Sequence, residues 1–184
     1  MKELSLNILD ITENSVKAGA TLTEIRIEED EQTLKISIID DGCGMSDETV
    51  RSVIDPFYTT RTTRKVGLGI PLLKLATEQT GGNIVIKSKM ADETDSSHGT
   101  RVDALFFKNH IDFTPLGDVI STVTTLIQGH PDTDFLFVHT KGDKEVRLDT
   151  RELRAVLEDV PLNEYEVILW IKDNLEEAYS NFNG

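Results

Sequence analysis

A sheet with helices laid over one face, an α/β sandwich, is the fold class that this 184-residue sequence predicts. Two observations carry that reading. Runs with helical spacing and runs with strict alternation follow one another in the order helix, two strands, helix, loop, helix, two strands. The first two strands are separated only by a short polar turn, which makes them an antiparallel hairpin.

The elements follow in order. Residues 3–18 form a helix in which Leu6, Ile8, Leu9, Ile11 and Val16 give apolar cover, while Asn7, Asp10, Asn14 and Lys17 recur at three- and four-residue steps as a polar stripe. Gly19 stops it. Residues 23–28 and 34–39 alternate as strands, and Ser46-Asp47-Glu48 gives the acidic opening of a short helix to Ile54. Residues 55–66 show no period and read as a loop. A helix over 70–80 tolerates Pro71 in its first turn. After Gly81-Gly82 come strands at 83–89 and 100–107, with a polar loop at 92–98.

From Asn109 the pattern changes, so the chain divides into residues 1–108 and a small α/β extension, 109–184. Here the sequence predicts a helix over 115–128, strands at 135–138 and 145–148 around Lys141-Gly142-Asp143, and a helix capped by Thr150 and running to Leu157. A strand at 167–171 and a closing helix at 175–182 complete it. Phe135, Phe137, Trp170 and Tyr179 fall at strand and helix spacing and read as core.

Composition excludes several classes of function. With 38% hydrophobic and 28% charged residues, the chain suits a folded soluble domain. No apolar run approaches the ~20 residues of a membrane span, and Met1-Lys2-Glu3 leads into an amphipathic segment rather than a leader peptide. The single cysteine, Cys43, rules out an internal disulfide and fits the cytoplasm. A net charge of −14 argues against nucleic acid and allows a basic partner.

Four short motifs supply the chemistry: Asp10-Ile11-Thr12-Glu13-Asn14, Asp40-Asp41-Gly42-Cys43-Gly44, Gly67-Leu68-Gly69 and Gly99-Thr100. Asp10 and Asn14 lie one helical turn apart. The Asn14 amide oxygen can complete a Mg²⁺ that otherwise holds phosphate and water, and Asp10 is then placed as a general base for a nucleophile attacking the γ-phosphate. Lys17 offers a point charge to the phosphates. Asp40 can accept from the exocyclic amine of adenine, with Gly42, Gly44 and Met45 on the turn beside it. Gly67, Leu68 and Gly69 precede a helix start whose N–H groups suit phosphate, with Arg61, Arg64 and Lys65 upstream to close over the γ-phosphate. The Thr100 hydroxyl can bond Asp40 or a water on adenine. Each motif alone equally fits a solvated helix face, a turn or a linker. In conjunction and in this order they predict a pocket for ATP.

The arrangement resembles the GHKL, or Bergerat-fold, ATPase superfamily of gyrase, the ninety-kilodalton heat-shock chaperones, histidine kinases and MutL-type repair proteins, over roughly residues 1–108. Residues 10–21 look like the MutL-type helix. Asp55-Pro56-Phe57-Tyr58-Thr59-Thr60, Gly67-Leu68-Gly69-Ile70, Gly81-Gly82 and Gly99-Thr100 look like a histidine-kinase catalytic domain with a short lid. The resemblance implies a two-layer sandwich with a mixed, mostly antiparallel sheet. It also implies Asn14 on Mg²⁺, Asp40 on adenine, and Lys17, Gly67 and Gly69 on the phosphates. Two departures are plain. No phosphoacceptor hairpin stands ahead of the first helix, and His98, His110, His130 and His139 all come later. Asp10 stands where hydrolysing or serine-directed members carry Glu.

The expected activity is therefore a stand-alone protein kinase similar to the anti-sigma serine kinases, acting on a Ser or Thr of a partner, or on a partner's His in trans. The alternative is an ATP-gated binding protein with slow ATPase activity. Residues 109–184 would pack on the ATP domain, form a homodimer surface or dock the partner.

Overall fold

The computed structural model describes residues 3–55 and 67–184. Its elements run α1 (Leu4–Lys17), β1 (Leu22–Glu29), β2 (Thr33–Asp40), α2 (Asp47–Ile54), α3 (Gly69–Gln79), β3 (Asn83–Lys89), β4 (Gly99–Phe107), α4 (Val119–Gly129), β5 (Asp134–Lys141), β6 (Lys144–Asp149), α5 (Thr150–Leu157) and α6 (Tyr165–Asn183). The strands make one six-stranded sheet in the order β3-β4-β2-β1-β5-β6. Every neighbouring pair is antiparallel except β1 with β5, so the sheet is mixed and mostly antiparallel.

Alternation sets the two faces. Ile25 and Ile27 of β1 pair with Ile38 and Ile36 of β2, which pair in turn with Val102 and Ala104 of β4. All six are buried in one cluster with Leu4, Ile8 and Ile11 of α1, Leu73 of α3, Leu126 and Ile127 of α4, and Ile171 and Leu175 of α6. Glu24, Arg26, Glu28, Lys35, Arg101 and Asp103 occupy the intervening positions and point away from the helices. Among the described residues no helix is long and apolar enough to cross a membrane.

Residues beyond 109 enter the same sheet and core. β5 extends it by pairing in parallel with β1, Ile25 facing Phe137. The start of α1 is held by this later part of the chain: Leu4 and Ser5 donate their N–H groups to the carbonyls of Pro115 and Leu116, at 2.9 and 2.8 Å. Two donors that a helix leaves orphaned are thereby satisfied. Glu13 on α1 meets His130 at 2.8 Å, immediately after α4.

Four local expectations are corrected. α4 begins at Val119 rather than at residue 115, because Gly117 adopts a φ of 80° and the Asp118 side chain caps the helix by accepting from the Ser121 N–H. α5 is capped by Asp149, whose carboxylate accepts from the Arg151 N–H; the Thr150 hydroxyl instead donates to Asp134. The strand at 167–171 and the helix at 175–182 are one helix, α6. Val167-Ile168-Leu169-Trp170-Ile171 has strand propensity, but Val167, Ile171, Leu175, Ala178 and Phe182 share one helical stripe that packs on α4 and β6. That helical register leaves Trp170 off the stripe and 53% exposed, not in the core, whereas Phe135 and Phe137 are buried and Tyr179 is partly so.

Tyr179 belongs to a buried polar group that ties α6 to the sheet. The His139 ring lies 2.8 Å from the Tyr179 hydroxyl through Nδ1 and 3.2 Å from Glu29 through Nε2, with the Phe182 ring centroid 4.6 Å away. Burial pulls the imidazole below its ordinary value of 6.5, although Glu29 opposes the shift. The folded protein therefore binds fewer protons than the unfolded chain just below pH 6.5. The contribution of His139 is whole above 6.5 and is lost as pH falls through the lower folded value. Thermal unfolding should accordingly show Tm falling between pH 7.5 and 5.5, with a smaller fall in a His139→Asn variant. An unchanged slope would remove His139 as the cause.

Candidate functional site

At one end of the sheet the apolar rows stop, and a polar row crosses four strands. Thr23 of β1 pairs with Asp40 of β2, Asp40 with Thr100 of β4, and Thr100 with Ser88 of β3. Paired residues share a face, so all four lie on the helix side, directly beyond the row Ile25, Ile38, Val102 and Ile86. The row is hydrogen-bonded along much of its length. Asp40 accepts from the Ser15 hydroxyl at 2.6 Å, the Gly42 N–H at 2.9 Å and the Thr100 N–H at 3.2 Å. Thr100 and Ser88 share a hydrogen bond of 2.7 Å, and Ser88 also accepts from the Met45 N–H at 2.8 Å. A carboxylate has about four acceptor positions, so three bonds leave Asp40 room for one more donor. The Thr23 hydroxyl is buried with no hydrogen-bond partner among the described residues.

The turn after β2 is clamped against its surroundings. The Asp41 carboxylate accepts from the N–H groups of Thr21 and Leu22, at 2.7 and 3.0 Å, and from the Thr21 hydroxyl. Burial alone would raise this carboxyl, but those bonds outweigh it and hold Asp41 below the usual carboxylate range. The Cys43 N–H donates to the Ala18 carbonyl and the Cys43 carbonyl accepts from the Ala91 N–H, and His98 Nδ1 lies 2.6 Å from the Gly42 carbonyl. Two glycines are required sterically. Gly44 has a φ of 70° and a Cβ there would fall 1.8 Å from the Lys89 carbonyl oxygen; Gly99 has a φ of 129° and its Cβ would lie 1.9 Å from the Asp40 carbonyl oxygen.

Asp10, Asn14 and Lys17 are exposed along α1, whereas Asn7, the first residue of the expected stripe, is buried and its amide nitrogen has no partner among the described residues. Gly69 opens α3 against this helix: a Cβ on it would come within 3.2 Å of the Asp10 Cβ. Leu68 stands at the N-cap with no side-chain capping bond, and the first turn of α3 holds no acidic residue. Among the described residues the N-cap and first turn therefore supply no capping carboxylate, which suits an anion site. Gly67 and Leu68 are exposed beside it. Arg61 and Arg64 lie outside the described residues.

Sequence patterns missed Ser15, Ser88, Thr23 and His98. Ser15 sits next to Asn14 but is turned inward, onto Asp40; its buried place on the helix was readable from the period, its partner was not. The other three acquire meaning only through cross-strand register or loop return.

The chain belongs to the family of histidine kinase-, DNA gyrase B- and HSP90-like ATPases, whose model matches residues 2–111, more than half of it. It is 30% identical to the sensor protein KdpD of Clostridium acetobutylicum over 94 residues, which are 48% of this chain and 10% of that protein. It is likewise 30% identical to the sensor protein SrrB of Staphylococcus aureus over 99 residues, 51% of this chain and 17% of that protein. The chain thus spans a small part of these relatives. Among solved structures, the Aquifex aeolicus MutL ATPase domain complexed with ADP superposes with a TM-score of 0.52 at 15% identity, covering 98% of this chain and 70% of that one. The N-terminal domain of a DNA repair protein gives 0.54 at 16% identity, covering 81% and 53%. These likenesses establish the fold.

The clamps make a prediction about stability. Ser15→Ala should cost about 1 kcal/mol of unfolding free energy, the usual value of one hydrogen bond. Gly99→Ala should cost distinctly more, since its methyl group has no space and its φ is strained. Urea denaturation of both variants measures the difference, and equal costs would show that the turn yields easily.

Proposed function

We propose that this protein binds Mg·ATP between α1, the end of β2 and the start of α3, and transfers the γ-phosphate to a partner protein. The observation that carries the reading is the approach of Gly69 to Asp10, which sets a helix start whose N-cap Leu68 makes no side-chain capping bond beside an exposed carboxylate. Asp40, with an acceptor position left, and the Thr23 hydroxyl, without a partner among the described residues, suit the polar edge of adenine. That donor set fits the nucleotide. Among the described residues no three His, Cys, Asp or Glu side chains form a metal cluster. A magnesium ion held by Asn14 would thus take its other ligands from phosphate and water, as this ion commonly does.

In this reading Asp40 orients the base, the first turn of α3 and Lys17 steady the phosphates, and Asp10 accepts the proton of the attacking hydroxyl. A Ser or Thr acceptor is favoured over His, because only a hydroxyl needs that base. Family membership and the likeness to two sensor proteins support a role in signalling. We take residues 1–108 as the nucleotide-binding unit, and the unpaired Cys43 supports a reducing, cytoplasmic setting.

The test is incubation with γ-labelled ATP and Mg²⁺, following nucleotide binding and free phosphate separately. Asn14→Ala should lose Mg-dependent binding, and Asp40→Asn should narrow the preference for ATP over GTP. In a reaction with acceptor, Asp10→Asn should slow transfer by about 10²-fold or more at nearly unchanged ATP affinity. Intact ATP bound by the isolated protein supports the kinase. Steady phosphate release that vanishes in Asp10→Asn makes it an ATPase, and parent-like binding by both Asn14→Ala and Asp40→Asn sinks the site.

A further inference from the structure

Between α5 and α6 lies a groove of about 470 Å³ lined by Leu153, Val156, Leu157, Glu166, Val167 and Trp170. It is open rather than enclosed: Val156 is 82% exposed and Trp170 53%. Val160, Tyr165 and Leu169 are exposed in the same stretch of chain, and no other stretch as short as 156–170 among the described residues exposes as many large apolar side chains. An open apolar groove with an exposed Trp in its wall has the composition of a protein-binding surface. A small ligand would stay largely uncovered on it, whereas the apolar stripe of a helix matches an open groove between two helices.

Charge selects the occupant. The cations of this region are already used: Arg151 pairs with Asp149, Arg154 with Asp134, Arg147 with Glu152 and Asp149, and Lys172 with Glu176. Glu166 in the groove wall, Glu158 and Asp159 just beyond α5, and Glu164 at the N-cap of α6 make no ion pair among the described residues. The groove wall therefore carries the unpaired Glu166, and the adjoining ends of α5 and α6 add negative charge that is not neutralised by an ion pair among the described residues. A second copy of a chain of net charge −14 would bring like rims together, and an anionic membrane would be repelled as well.

We propose that the α5–α6 groove docks a basic amphipathic helix of a partner protein. This surface is separate from the nucleotide site and does not depend on the reading of that site. Trp170, the only tryptophan, reports on it directly. The probe is a tryptophan-free leucine–lysine peptide of about 16 residues with apolar positions at helical spacing. Its controls are a scrambled peptide of the same composition and a version with Glu for Lys.

The amphipathic peptide should shift Trp170 emission to the blue and bind at least about tenfold more tightly than either control. Raising NaCl from about 0.05 M to about 0.5 M should weaken it. Val156→Ser and Glu166→Lys, both at exposed positions, should each weaken binding several-fold while ATP binding and Tm stay at parent values. Three results would overturn the proposal: equal affinity for the scrambled peptide, binding unaffected by both substitutions, or a concentration-dependent dimer that Val156→Ser abolishes. The last would give the groove to a second copy.

Discussion

The register of β1, β2 and β4 is the constraint on which the rest of this molecule depends. Side chains alternate across a strand, so a slip of one residue between β2 and either neighbour would turn Asp40 to the charged face. It would also turn Ile36 and Ile38 out of the core. The same pairing that buries the isoleucines therefore delivers a carboxylate to the helix side of the sheet. Stability and site geometry are set by one choice, and the apolar rows enforce it.

Around that register the site is assembled from pieces held by different forces. α1 lies over the sheet through Leu4, Ile8 and Ile11, and this packing carries Ser15 onto Asp40 and leaves Asp10 and Asn14 facing outward. The turn after β2 is held by hydrogen bonds to Asp41 and by two glycines that admit no side chain. α3 approaches α1 closely because Gly69 offers no Cβ. A hydrophobic helix seat, a hydrogen-bonded turn and a close helix contact thus converge on one space.

The later part of the chain is not an appendage in the physical sense. Its strand β5 continues the sheet from β1, and its segment at 115–116 satisfies the opening N–H groups of α1. A disturbance of α4 or of the His139, Tyr179 and Glu29 group would thus reach the helix that carries Asp10 and Asn14. The groove of α5 and α6 is built on the same packing: Leu153, Leu157 and Val167 rest against the core, while Val156 and Trp170 are exposed.

Sequence by itself determined the elements whose signals are local. Hydrophobic period and glycine breaks defined α1, the β1–β2 hairpin, α3 and the β3–β4 pair, and with them the fold class; the four short motifs carried the resemblance to the family. The spacing of Asp10 and Asn14 on one helix face was equally legible, since it needs only the pitch of the helix. Only the tertiary structure decided the polar row of Thr23, Asp40, Thr100 and Ser88, the seating of Ser15 on Asp40, and the burial of Asn7. These depend on which strands become neighbours and in what register, information spread across the chain. The same reason explains α6: its local residues favour a strand, and the nonlocal stripe that packs against α4 and β6 makes it a helix, leaving Trp170 outside.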